Sequence, residues 1–197
     1  MNTMTFRQAA REVSAAIRRP EQLALRYRHA EPRQLRPLIL MLLANAFFGM
    51  AAYGLTMQLH DGTLRMLRAG LVAPAAAGLA WTIALPALYI LNGAAGSRLR
   101  FGATLLAASV TVCFGAWAML ASVPINWFFT LAAPWPLARL VTNLVVFTGV
   151  GVAMTDVFVR VLAALEPQRS RFYGVAWVGL VSVIGMELFS IGGIFEF

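Results

Sequence analysis

Long uncharged apolar runs alternate with short arginine-bearing links along this chain. About twenty apolar residues in helical conformation cross a 30 Å hydrocarbon core, so each run of that length predicts a spanning helix. The first span is 37–59, from Pro37 to Leu59, with no charge in it. His60-Asp61-Gly62 follows, and with Arg65 and Arg68 it predicts a turn plus a short interfacial helix. The second span, 71–92, contains Pro86 and is expected to kink there, which a membrane tolerates where neighbours satisfy the freed carbonyl. The third is placed at 101–123. Pro124-Ile125-Asn126-Trp127-Phe128-Phe129 then predicts a hydrophobic loop, which with Trp135 suits an aromatic belt at the lipid–water boundary. Residues 124–135 read as a loop, a re-entrant segment or part of an extra span. The fourth span is 136–158, its helix continuing to about Leu165, and the fifth is 172–193, after the charged turn Glu166 to Arg171. The expected fold class is an all-α integral membrane protein with about five transmembrane helices, forming one domain over 37–197.

Residues 1–36 have a different pattern. Phe6, Ala9, Ala10, Val13 and Ile17 recur at helical spacing, Arg7, Arg11, Arg18 and Arg19 lie around that stripe, and Pro20 ends it. This predicts a basic amphipathic helix in a cytoplasmic segment. The preferred reading lays it on the membrane surface, held by anionic lipid at about 1 kcal/mol per well-placed Arg. The other makes it a docking segment for a partner protein. No cleavable signal peptide is read in this segment.

Composition supports the lipid reading. Hydrophobic residues make up 60% of the 197 and charged residues only 12%, against about 45–50% and 25% in soluble domains. A soluble fold of this size has too little core to hide the excess. The net charge of +8 comes from sixteen basic residues, all arginine. They cluster at the ends of apolar runs, so nucleic acid is not an expected partner. With the N-terminus inside, thirteen of the sixteen arginines face the cytoplasm, and Arg65, Arg68 and Arg139 face the other side. The positive-inside rule then places the N-terminus in the cytoplasm and the C-terminus outside, in a bacterial inner membrane.

Little chemistry is on offer. There is no HExxH, GxSxG, phosphate-binding glycine loop or CxxC, and two His and one Cys leave almost no material for a metal site. No catalytic, cofactor-binding or metal-ligating residue is predicted, and the chain reads as a non-enzyme. Cys113 reads as a small buried hydrophobe. Ionisable groups inside spans need an explanation. Asp156 and Arg160 share a helix face and predict an interfacial ion pair. Glu187 falls about 22 Å along the fifth helix, so it must carry a proton, be paired, or face a wet cavity. Arg139, on the antiparallel neighbour, is its expected partner, and the alternative makes Glu187 part of an ion or proton path. Gly149, Gly151 and Ala153, with Gly174, Gly179 and Gly185, predict close approach of the fourth and fifth helices, or of a partner subunit.

One resemblance stands beside these readings. Leu85-Pro86-Ala87-Leu88-Tyr89-Ile90-Leu91-Asn92-Gly93 and Gly96-Ser97-Arg98-Leu99, with Arg18-Arg19-Pro20-Glu21 upstream and Pro124-Ile125-Asn126-Trp127-Phe128-Phe129 downstream, resemble small bacterial membrane proteins. These look distantly similar to the five-helix Yip (Ypt-interacting protein) family, over roughly residues 15–160. The resemblance implies an adaptor or organising protein; eukaryotic members bind small GTPases, and no residue here carries that partner over.

The expected function is therefore a non-enzymatic scaffold, adaptor or accessory subunit of a membrane complex, partnered by lipids and by other membrane subunits or itself. A channel or transporter subunit using Glu187 is the alternative.

Overall fold

The computed structural model describes residues 6–59, 61–94, 96–133, 135–168 and 172–192. Within them the chain is all helical, with seven helices and no strand. Two are short, α1 (Phe6–Arg18) and α2 (Pro20–Arg26). Five are long: α3 (Pro32–Met57), α4 (Thr63–Ala94), α5 (Phe101–Ala132), α6 (Pro136–Leu165) and α7 (Phe172–Ile191). Four of these, α3 to α6, are long and apolar enough to cross a membrane, whereas Trp177–Ile191 of α7 is a shorter apolar stretch.

Three expected boundaries change. α3 begins five residues before Pro37, with Pro32 in its first turn, where a missing N–H costs no helical bond. The predicted interfacial helix at Arg65 and Arg68 is the first turns of α4, which runs unbroken through Pro74 and Pro86. The expected loop after Pro124 is instead the last turns of α5. A proline removes one backbone bond, and a helix held on its other side by neighbours keeps the rest. Asn126 and Thr130, one turn apart, are buried against the bundle, while Trp127, Phe128 and Phe129 point outward. At 32 residues, α5 is about 48 Å long, more than a 30 Å hydrocarbon core requires.

The connections are tight. Gly62, between α3 and α4, has φ of 93°, and Gly96, between α4 and α5, has φ of 81°; a side chain would strain either turn. Glu166, after α6, ties down the second turn. Its carboxylate accepts bonds of 2.8 Å from the Ser97 hydroxyl and from the Arg98 backbone N–H.

The long helices form a ring. α3 packs beside α4 and α5, α5 beside α6, α6 beside α7, and α7 beside α4. In lipid, helix pairs are held by close packing rather than by expulsion of water. Glycine supplies that closeness on α3: a Cβ on Gly49 would sit 2.6 Å from the Ala116 carbonyl oxygen, and one on Gly54 would sit 2.6 Å from that of Ala69. Gly115 gives the same access to Met154 of α6. The expected small-residue surfaces on α6 and α7 do not work this way. Nothing lies within 4 Å of a Cβ at Gly149, Gly151 or Gly179, and Gly185 approaches only the Ala80 Cβ, at 3.9 Å. The surroundings of Gly174 lie outside those described.

The ring is filled from α4, α6 and α7. Trp177 stacks on Phe158 at 4.6 Å between centroids and meets Trp81 edge-on at 4.8 Å. Its indole N–H donates to the Ala84 carbonyl, 3.1 Å away.

α1 and α2 fold back onto the ring. Ala9, Val13 and Ala16 of α1, and Leu23 and Ala24 of α2, are buried. Val13, Ala16 and Leu23 pack with Leu35, Leu38 and Leu42 of α3 and with Leu106 and Val110 of α5, and Ala24 belongs to the cluster that holds Leu165 of α6. Of the apolar stripe expected to rest on lipid or on another protein, Ala9 and Val13 are therefore covered by the chain's own bundle and Ile17 partly so, while Ala10 stays exposed and the Phe6 side chain lies outside those described. Arg7, Arg11, Arg18 and Arg19 remain exposed. Arg160 of α6 bridges this contact, 2.7 Å from Glu21 of α2 and 2.9 Å from Asp156. The Arg160 side chain is 50% exposed, so Arg160→Ala is expected to cost no more than about 1 kcal/mol. Placing a charge at fully buried Ala16 should instead detach the segment. Limited trypsin digestion in detergent micelles checks this: accelerated cleavage at Arg26 and Arg28 is expected in Ala16→Arg and not in Arg160→Ala.

Candidate functional site

Polar side chains gather at the end of the bundle opposite α1 and α2. The second half of α3 contributes Tyr53 and Thr56, α5 contributes Asn126, and α6 contributes Asn143; all four are buried. The Tyr53 hydroxyl donates to Asn143 Oδ1 at 2.9 Å. Asn126 Nδ2 donates to Thr56 Oγ1 at 2.9 Å, and that hydroxyl donates to the Tyr53 carbonyl at 2.7 Å. The Tyr53 ring meets Phe147 edge-on at 5.8 Å, and Phe147 meets Phe189 at 5.2 Å. One residue of α3 thus joins α6 through both its ring and its hydroxyl, and reaches α7 through Phe147. Asn126 Oδ1 is buried without a hydrogen-bond partner among the described residues.

An ion pair caps this network. Arg139 Nη1 lies 3.0 Å from Asp61 Oδ2, with both side chains partly buried. Arg139 is one turn before Asn143 on α6, and Asp61 leads out of α3. The expected pair between Arg139 and Glu187 is not formed. The sequence offered Glu187 as the nearest opposite charge on a neighbouring helix, but Asp61, set aside as part of a polar link, is what the fold brings to Arg139. Glu187 lies exposed on α7, and its carboxylate makes no ion pair or hydrogen bond among the described residues.

The remaining expected residues sit at the other end. Asp156 and Arg160 pair within α6, and Glu21 is a second acceptor for Arg160. These groups face α2 and the surface, so they do not join Glu187 in a common path.

Tyr53, Thr56, Asn126 and Asn143 were not singled out from the sequence. The available signal was two asparagines and a threonine inside otherwise apolar runs, where each lone polar group needs a partner. Their arrangement holds no nucleophile beside a general base. Among the described residues, no three His, Cys, Asp or Glu side chains gather as a metal site requires. The chemistry available is hydrogen bonding between helices, which fixes their register. Tyr53→Phe keeps the ring and strips the hydroxyl from Asn143. A loss of about 1 kcal/mol is expected, readable as a lowered midpoint in thermal unfolding followed by circular dichroism.

Comparison of the chain with family models, with curated proteins and with solved structures yielded no match, so the functional reading rests on the geometry described above.

Proposed function

We propose that this chain is a multi-pass membrane protein acting as a non-enzymatic scaffold, adaptor or accessory subunit of a larger membrane complex. α3 to α7 are its five spans. The arginine distribution places α1 and α2 in the cytoplasm and the C-terminus outside, in a bacterial inner membrane. The exposed Arg7, Arg11, Arg18 and Arg19 are then placed to meet anionic headgroups. The Yip-like resemblance belongs to the same proposal and supplies no residue to it.

The observation that carries the reading is the position of Glu187. It sits outward on an apolar helix, beside exposed Val183 and Met186. A carboxylate there is costly against lipid and is compensated by another polypeptide. The interior polar groups, by contrast, bond to one another across helices, which supports a structural role over conduction.

The test purifies the chain gently from its native membrane and reconstitutes it in vesicles bearing a pH gradient. Stoichiometric companion subunits and no proton flux are expected. Flux by the purified chain, abolished in Glu187→Gln, would replace this reading with the channel alternative.

A further inference from the structure

We infer that the outward face of α7 is a docking seam for a single transmembrane helix of a different protein, one carrying an arginine or lysine at the depth of Glu187. The inference rests on the accessory-subunit reading and names the partner's chemistry.

The seam is continuous. Gly179, Ser182, Val183, Met186, Glu187 and Ser190 are all exposed and recur at three- and four-residue intervals, so they line one face. Four of the six are small or polar. On α7, Gly179 leaves open space where a Cβ would be, enough for a second helix to come close. The Ser182 hydroxyl bonds back to Val178, which keeps it compact beneath an approaching backbone.

Charge selects the occupant. Glu187 lies five residues before Gly192, or about 7.5 Å along the axis. Arg68 bonds the Gly192 carbonyl at 3.3 Å, toward the outer end of α7. Arg139 is engaged by Asp61. A second copy related by a two-fold axis along the membrane normal would bring the two Glu187 carboxylates to the same depth. Like charges there repel, and the other arginines of this chain at that end, Arg65 and Arg68, lie farther out, in the first turns of α4. A foreign helix with one basic residue supplies what a second copy does not.

The experiment places the donor-labelled full chain in phosphatidylcholine vesicles with acceptor-labelled leucine–alanine helices. One helix carries a single Arg at the matched depth, one carries it at the opposite end, and one has Leu instead. Energy transfer should show the matched helix binding about tenfold more tightly than either control, and Glu187→Gln should erase that preference. Gly179→Leu, which fills the open space, should weaken binding with Glu187 intact. An unchanged melting temperature in both variants shows that folding is not the cause. Equal transfer for all three helices overturns the inference, as does transfer between copies of the chain that is lost in Glu187→Gln. If the helices are not distinguished but the chain still leaves its own membrane in a stoichiometric complex, the seam is refuted and the accessory-subunit reading survives; a chain monomeric in both settings refutes both.

Discussion

Gly49→Leu is expected to leave no stable bundle. The α-carbon of Gly49 approaches α5 so closely that even a Cβ would lie 2.6 Å from the Ala116 carbonyl oxygen. That atom belongs to the backbone of a buried helix and cannot rotate away. The only relief is separation of α3 from α5, which pulls on both sides of the ring because α3 also packs on α4 through Gly54. Overpacking of a core ordinarily costs about 1–3 kcal/mol and more where nothing yields, so a loss above about 3 kcal/mol is expected. Gly78 is the control, since nothing lies within 4 Å of a Cβ there, and Gly78→Leu should leave the midpoint unchanged. Size-exclusion chromatography and thermal melts in the same detergent read both variants.

Trp177→Ala is expected to cost about 3–5 kcal/mol, the range for removing a buried large aromatic. The side chain is 3% exposed and is the only described contact that stacks on α6 while donating a hydrogen bond to the backbone of α4. Its loss opens a cavity beside Trp81 and Phe158 and weakens the hold of α7 on both neighbours, leaving the Phe189–Phe147 contact and the Arg68–Gly192 bond in place. Trp177→Phe separates the two contributions: the stack persists, the indole N–H does not, and the loss should fall to about 1 kcal/mol. Equal losses in the two variants would show that the hydrogen bond, not the packing, holds α7.

The two variants mark what the sequence made legible. Apolar length made the helices α3, α4, α6 and α7 legible, even with Arg139, Asp156 and Glu187 inside the last two, because lipid-scale apolar runs have few other structural outcomes. Proline misled at Pro124, where the local rule for breaking a helix was outweighed by neighbours that keep Asn126 and Thr130 buried. The amphipathic stripe of α1 was visible, but a stripe does not say what covers it; α3 and α5 do, which only the fold reveals. The glycines of close approach were the harder case. Gly49 and Gly54 of α3 resemble Gly149 and Gly151 of α6 in their apolar surroundings, and only the three-dimensional arrangement decides which face a neighbour. Pairing across helices was equally hidden. Depth along α6 and α7 made Glu187 a reasonable mate for Arg139, whereas azimuth around each helix turned Glu187 outward and Arg139 toward Asp61.

That outward carboxylate carries the functional account, and its test needs only the mass of the assembled protein. The chain, extracted from its native membrane with the surrounding lipid into polymer-bounded discs, is weighed by native mass spectrometry as wild type and as Glu187→Gln. The account predicts a wild-type assembly of fixed composition well above the 21.4 kDa protomer, and a Glu187→Gln protein of unaltered melting temperature released as the free protomer. A wild-type chain found only at 21.4 kDa, or an assembly unaffected by Glu187→Gln, would contradict it.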